Sequence, residues 1–185
     1  MACIKPKLQS IKRCSNPDNQ NGFDDTLSIA LHDSLVTIPV APKYVETMTG
    51  SEYITAVCAD PAKPFGTEAV WTKWTGKDDQ IKAITKAKSN FKDSNAVTST
   101  ITVELDVDKG SLGQMKLMKG QKVHVIINKA GDGSMKWYGR ANKPAIITNY
   151  EVEEGADKDH IKLEIEFNVY EPLFLPDTAV INYAA

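Results

Sequence analysis

Ala96-Val97-Thr98-Ser99-Thr100-Ile101-Thr102-Val103-Glu104-Leu105-Asp106-Val107-Asp108 is the stretch that decides the fold. Val97, Ile101, Val103, Leu105 and Val107 fall on one side of an extended chain, and Thr98, Thr100, Thr102, Glu104 and Asp106 fall on the other. A period of two with one apolar and one polar face predicts a half-buried antiparallel strand. His160 to Tyr170 repeats the pattern, with Ile161, Leu163, Ile165, Phe167 and Val169 opposed by Lys162, Glu164, Glu166 and Asn168.

Working outward, Gln121 to Asn128 reads as a strand through Val123, Val125 and Ile127. Ala130-Gly131-Asp132-Gly133 is a turn in which Asp-Gly supports positive φ, and Met135 to Arg140 returns to complete a hairpin. Pro144 to Glu153 gives a further strand, and Glu154 to Asp159 a turn. Upstream, Leu27 to Val40 suggests two short strands around His32-Asp33-Ser34. Glu52 to Cys58 and Glu68 to Trp74 suggest one strand each. Lys77-Asp78-Asp79-Gln80 places acids in a first helical turn, and Ile81, Ile84 and Ala87 follow at helical spacing, so a helix is expected over 77–91. Gly110 to Gly120 reads as a short helix or a loop lying on the sheet.

About eight strands with glycine-containing turns and one good helix predict a mainly β chain, an antiparallel sandwich or barrel with one flanking α-helix. The 185 residues, 42% hydrophobic, suffice for one core. The expected organisation is an N-terminal arm or loop over 1–25, a β-sandwich domain over 26–170 and a C-terminal tail over 171–185. Residues 15–22 are dense in turn formers.

Net charge is −2, from 22 basic and 24 acidic residues, so there is no basic surplus of the kind that neutralises phosphates, and tight nucleic-acid binding is not expected. No apolar run approaches the roughly 20 residues needed to cross a bilayer. Met1 to Lys7 has positive charge but no apolar run after it, so export by a signal peptide is not expected. Cys3, Cys14 and Cys58 are widely spaced, with no CxxC pair and no histidine at zinc spacing, and are expected to be reduced thiols.

The search for chemistry is negative. His32, His124 and His160 lack partners at metal or catalytic spacing, and His124 alternates with buried positions, so it is expected to face solvent or an interface. Asp78 and Asp79 are accounted for by a helix start, and Glu104 and Asp106 by the polar face of a strand. The glycines of 130–134 lack a phosphate-cradle pattern, and Asp106, Asp108 and Gly110 do not continue into a calcium loop. No catalytic residue, cofactor or metal is therefore expected, and the chain is not read as an enzyme. Trp71, Trp74, Trp137 and Tyr138 could form an aromatic platform, as in a carbohydrate-binding sandwich, against the plainer reading of core or subunit packing.

Lys119-Gly120-Gln121-Lys122-Val123-His124-Val125-Ile126-Ile127, the Asp-Gly turn, Trp137-Tyr138-Gly139-Arg140-Ala141, Pro144 to Val152 and Ile161 to Phe167 follow in a characteristic order. Strand, hairpin, a second strand with Ile, Tyr and Val, and a long final strand succeed one another. Over roughly residues 65–170 this pattern resembles the tail-tube and related tail proteins of bacteriophages. The resemblance implies a virion structural protein, made in the host cytoplasm, that self-associates into a ring of six subunits or a multiple. Sheet edges would pair between subunits, other tail or connector proteins would be partners, and DNA would pass through as cargo, with no membrane involved and no catalytic residues. The apolar positions of the arm and tail, Ile4, Leu8, Ile11, Leu173, Phe174, Leu175, Val180, Ile181 and Tyr183, are the candidate subunit contacts. An apolar tail of this kind either packs on its own sheet or docks on a neighbour. The alternative is a non-catalytic binding module, such as a carbohydrate-binding sandwich, which predicts a monomer with exposed Trp71, Trp74 or Trp137.

Overall fold

The alternating stretch around Ile101 is the centre of the longest strand in the protein, and its polar gaps are filled locally. Ser99, fully buried on the apolar face, bonds through its hydroxyl to the Thr85 hydroxyl at 2.8 Å. The structure is a computed structural model that describes residues 23–58, 65–76, 80–90, 93–129, 134–155 and 159–184. Nine strands appear among these residues: β1 (Phe23–Leu31), β2 (Thr72–Thr75), β3 (Lys82–Asn90), β4 (Asp93–Leu105), β5 (Lys122–Lys129), β6 (Met135–Tyr138), β7 (Ala145–Glu154), β8 (Asp159–Asn168) and β9 (Leu173–Phe174). Two α-helices accompany them, α1 (Gly50–Ile54) and α2 (Lys109–Met118), with a 3-10 turn at His32–Ser34. The chain is mainly β, as its alternation predicts.

The strands form one antiparallel sheet in the order β2-β1-β5-β7-β8-β4-β3, with β6 pairing to β5 and β9. Strand β5 bonds β1 along one edge. Its other edge is divided, since Lys122 and Val123 pair with β7 while Val125 to Asn128 pair with β6. The sheet splits there, and its two arms close on a shared core. Leu27 and Ile29 of β1 and Val123, Val125 and Ile127 of β5 pack with Ile101, Val103 and Leu105 of β4 and Ile161, Leu163, Ile165 and Phe167 of β8. Helix α2 closes this core with Met115 and Met118. Asp108 caps its start, accepting from the backbone N–H of Gly110 (2.6 Å) and Ser111 (2.9 Å) and from the Ser111 hydroxyl (2.7 Å).

A second, smaller core lies on the opposite face of β1 and β5. Ala30 and Ile126 meet Phe65, Trp71, Trp137, Leu173 and Leu175 there. The tail supplies much of its cover. Leu173 pairs with Trp137, the Leu175 N–H donates to the Met135 carbonyl (2.8 Å), and the Ala184 N–H donates to the Trp71 carbonyl (2.8 Å). Of the two fates open to an apolar tail, this one packs on its own sheet.

Three expectations fail. The helix expected over 77–91 is strand β3 from Lys82 onward, and residues 77–79, with Asp78 and Asp79, lie outside the described residues. Strand β4 bonds β8 on one side and leaves its other edge for residues 82–90, whose register runs from Lys82↔Thr102 to Asn90↔Asp93. The helix propensity of Ala and Lys, though high, gives way to that ladder. The flanking helix is instead α2, in the stretch read as helix or loop. The strand expected over 52–58 is instead the end of helix α1, through Ile54, followed by isolated bridges at Thr55 and Val57. Thr49-Gly50-Ser51-Glu52 is a capping box, in which the Glu52 N–H donates to the Thr49 hydroxyl (3.3 Å) and the Thr49 N–H to the Glu52 carboxylate (2.8 Å). Finally, Leu35 to Val40 forms no strand; its one ladder contact is a bridge between Val40 and Val57. Strand β1 starts at Phe23, which pairs with Lys129, and residues 1–22 of the expected arm lie outside the described residues.

Leu173 is 4% exposed whereas Val180, seven residues on, is 67% exposed. Leu173→Ala is expected to destabilise the monomer by about 2–5 kcal/mol in urea unfolding. Val180→Ala should stay within about 0.5 kcal/mol of the parent.

Candidate functional site

Strand β5 carries its odd-numbered residues into the main core, so His124 points the other way. That other side is itself covered, and His124 is fully buried. The expectation that it faces solvent or an interface is therefore corrected: β5 is buried on both faces. The 3-10 turn at the end of β1 brings His32 alongside, and β6 brings Trp137. The two imidazoles stack with centroids 5.2 Å apart, and His124 stacks on the Trp137 indole at 5.6 Å with the planes 9° apart. Arg140 continues the column, its guanidinium 5.2 Å from the Trp137 ring and within 6 Å of the Phe167 and Tyr170 rings.

The hydrogen bonds in this column have a fixed direction. An indole N–H can only donate, so at 3.2 Å the Nδ1 of His124 accepts from Trp137. A neutral His124 must then carry its proton on Nε2, which donates to Nδ1 of His32 at 2.9 Å. Burial above all, with His32 and Arg140 close by adding to it, holds the His124 pKa down at about 3. Gly139 is what lets the column close: its φ is +134°, and a Cβ there would stand 2.4 Å from His124 Nδ1.

Arg140 is 8% exposed. Its Nη2 donates to the Glu171 carbonyl (2.8 Å) and its Nη1 to the Gly139 carbonyl (3.5 Å). Burial lowers its pKa to about 10, with the nearby Tyr170 opposing the shift, so the side chain is cationic at neutral pH. It borders a cleft of about 600 Å³ whose walls include Ala41, Ile54, Ala87, Val97, Val169 and Leu173. Val169 holds φ at +86° there, a left-handed conformation that a β-branched side chain rarely adopts, and its N–H donates to the Val97 carbonyl at 2.7 Å.

The residues picked out in the sequence are dispersed. Trp71, Trp74 and Trp137 are fully buried, so core packing, not an exposed platform, is their role. His160 lies 3.6 Å from Glu153 and 4.0 Å from Glu104 on the surface, away from the other two histidines' stack. No group of three or more His, Cys, Asp or Glu placed to hold a metal occurs among the described residues. Of the candidate contact residues, Ile4, Leu8 and Ile11 lie outside the described residues. Leu173 and Leu175 are buried in the second core, Ile181 packs against it, and Phe174 is half-buried with Lys136 over its ring. Val180 is exposed, and Tyr183 is partly so, its hydroxyl 2.9 Å from that of Ser28.

A larger exposed apolar surface lies over residues 36–57, where nothing but strands was expected. Val36, Val40, Tyr44, Val45, Tyr53 and Val57 expose between 42% and 75% of their area. Val40 and Val57 are bridged, and the Tyr44 and Tyr53 rings meet edge to face at 5.6 Å, which joins the two stretches into one surface. No protein-family model matches the chain, and neither does any curated protein or solved structure.

The depressed His124 pKa fixes a pH dependence. Folded His124 stays neutral down to about pH 3, whereas in the unfolded chain it takes up a proton near pH 6.5. Its contribution to stability is complete above pH 6.5 and is lost as pH falls from there toward 3, at up to about 1.4 kcal/mol per pH unit. Urea midpoints between pH 7 and pH 4.5 should therefore fall more steeply for the parent than for His124→Gln. Parallel curves would show that the column accepts a proton without cost.

Proposed function

We propose that this protein is a non-catalytic structural subunit that assembles with copies of itself into a ring or tube, as a tail-tube or head-to-tail ring component of a phage virion. The observation that carries the reading is the exposed apolar surface of residues 36–57. Contiguous apolar area on a monomer surface marks a site of association, and here it includes two tyrosines, a residue type favoured at protein contacts. The sheet supports the same reading. Strand β3 ends the strand order, and no strand among the described residues pairs with its outer edge over nine residues. Such an edge is a pairing liability in a lone molecule, and a closed ring of identical subunits satisfies it. The phage-tail assignment itself rests on the strand order from Lys119 to Phe167, and DNA would be cargo in transit, in keeping with a net charge of −2. No helix among the described residues is long and apolar enough to cross a membrane.

The binding-module alternative loses its exposed tryptophans, since all three are core. Light scattering across a concentration series, with negative-stain images of the same sample, should give rings or tubes of many copies. Tyr44→Ser/Val45→Glu/Tyr53→Ser should reduce these to the 20.3 kDa monomer with the melting temperature unchanged, because all three side chains are at least half exposed. A parent protein that is monomeric at every concentration would move the reading to a binding module.

A further inference from the structure

Arg140 carries a full charge in a place where charge is costly. Its side chain is more than nine-tenths buried, it lies against three aromatic rings, and its two hydrogen bonds go to main-chain carbonyls. No carboxylate pairs with it among the described residues. A desolvated cation without a counter-ion destabilises a fold by several kcal/mol unless something compensates. A guanidinium has five N–H donors, and the Gly139 and Glu171 carbonyls use two of them. The side chain borders the cleft of about 600 Å³, a volume within the range of small-molecule sites. The strained Val169 backbone is in the wall of the same cleft.

We propose that this cleft is a binding site for the carboxylate of a monoanion with an apolar body, the carboxylate held by Arg140 and the body by the apolar side chains of the wall. The planar guanidinium fork matches a carboxylate in a two-point hydrogen bond. Ala41, Ile54, Ala87, Val97 and Leu173 offer the remainder of the ligand apolar surface. Arg140 is the cleft's one basic side chain, and the Glu171 residue also borders it, so a multiply charged phosphate is disfavoured. The cleft shares Tyr53 with the surface proposed for assembly, but its test reads octanoate binding and the assembly test reads mass, so either reading can fail without the other.

The test titrates the full-length protein with octanoate, using octylammonium and inorganic phosphate as controls, by calorimetry and by NMR shifts. Octanoate should bind saturably, and neither control should compete. Arg140→Lys should weaken binding by about tenfold or more, because the two-point geometry is lost. Arg140 is itself packed, so Ala87→Trp provides the second variant: Ala87 is exposed in the cleft wall and is not a partner of Arg140, whose hydrogen bonds go to the Gly139 and Glu171 carbonyls, so a large ring there fills cleft volume and removes no Arg140 partner. Loss of octanoate binding in Ala87→Trp with the fold intact supports the site. An apolar peptide with a free carboxyl terminus that competes, where its amidated form does not, would identify a polypeptide end as the natural source; competition by neither would point to a free acid. Absence of octanoate binding, equal binding of octylammonium, or binding unchanged in Ala87→Trp overturns the proposal.

Discussion

Strand β5 has no solvent face, and most of the molecule is arranged around that constraint. Val123, Val125 and Ile127 enter the main core while His124 and Ile126 enter the second. A strand with both sides covered needs a layer over each. The β4, β7 and β8 arm supplies one, and the segments around Trp71, Trp137 and Leu173 supply the other. Its divided edge has the same origin: by pairing with β7 at one end and β6 at the other, β5 sends the chain into two layers from a single ladder. Apolar burial on both faces stabilises such a strand more than alternation alone could, at roughly 25 cal/mol per Å² removed from water.

Covering the second face creates a polar problem, which the column of rings resolves. His124 takes the place of an apolar side chain, and each of its nitrogens is matched, one by the indole of Trp137 and one by His32. Satisfied buried polar groups of this kind fix orientation more than they add stability. Gly139 and Arg140, adjacent in sequence, divide the work: the glycine gives His124 room, and the arginine closes the far side of Trp137. The cationic end of the column thus borders a cleft, while His32 at its other end is only partly buried.

The strongly alternating elements were legible. Residues 96–105, 122–128 and 160–168 read as strands from apolar side chains at every second position, and 145–153 from the strand formers Ile146, Ile147, Tyr150 and Val152. Strand β3 was not legible, since Ile84, Thr85, Lys86 and Ala87 are exposed and only the open edge of β4 makes them a strand. Edge strands lack the burial that would mark them. Helix α1 did carry a local signal, Thr49 and Glu52 at capping-box spacing, masked by Tyr53, Ile54 and Val57 as strand formers. The candidate site was the least legible part. His32 and His124 lie 92 residues apart and meet only because Leu31 and Val123 pair in the ladder between β1 and β5. Long-range register of that sort leaves no trace in spacing.

The segment that covers the second core is made after every strand of the main core. Every strand that lines the main core has left the ribosome once Phe167 is clear, yet Leu173, Leu175 and the bridge from Tyr183 to Trp71 follow later. During synthesis, therefore, the two layers close in sequence. The outer faces of Trp71 and Trp137 stay uncovered until residues 173–184 arrive. A nascent chain stalled between Phe167 and Leu173 would hold a finished main core with an open aromatic flank, a surface for chaperones to hold and for premature association to exploit.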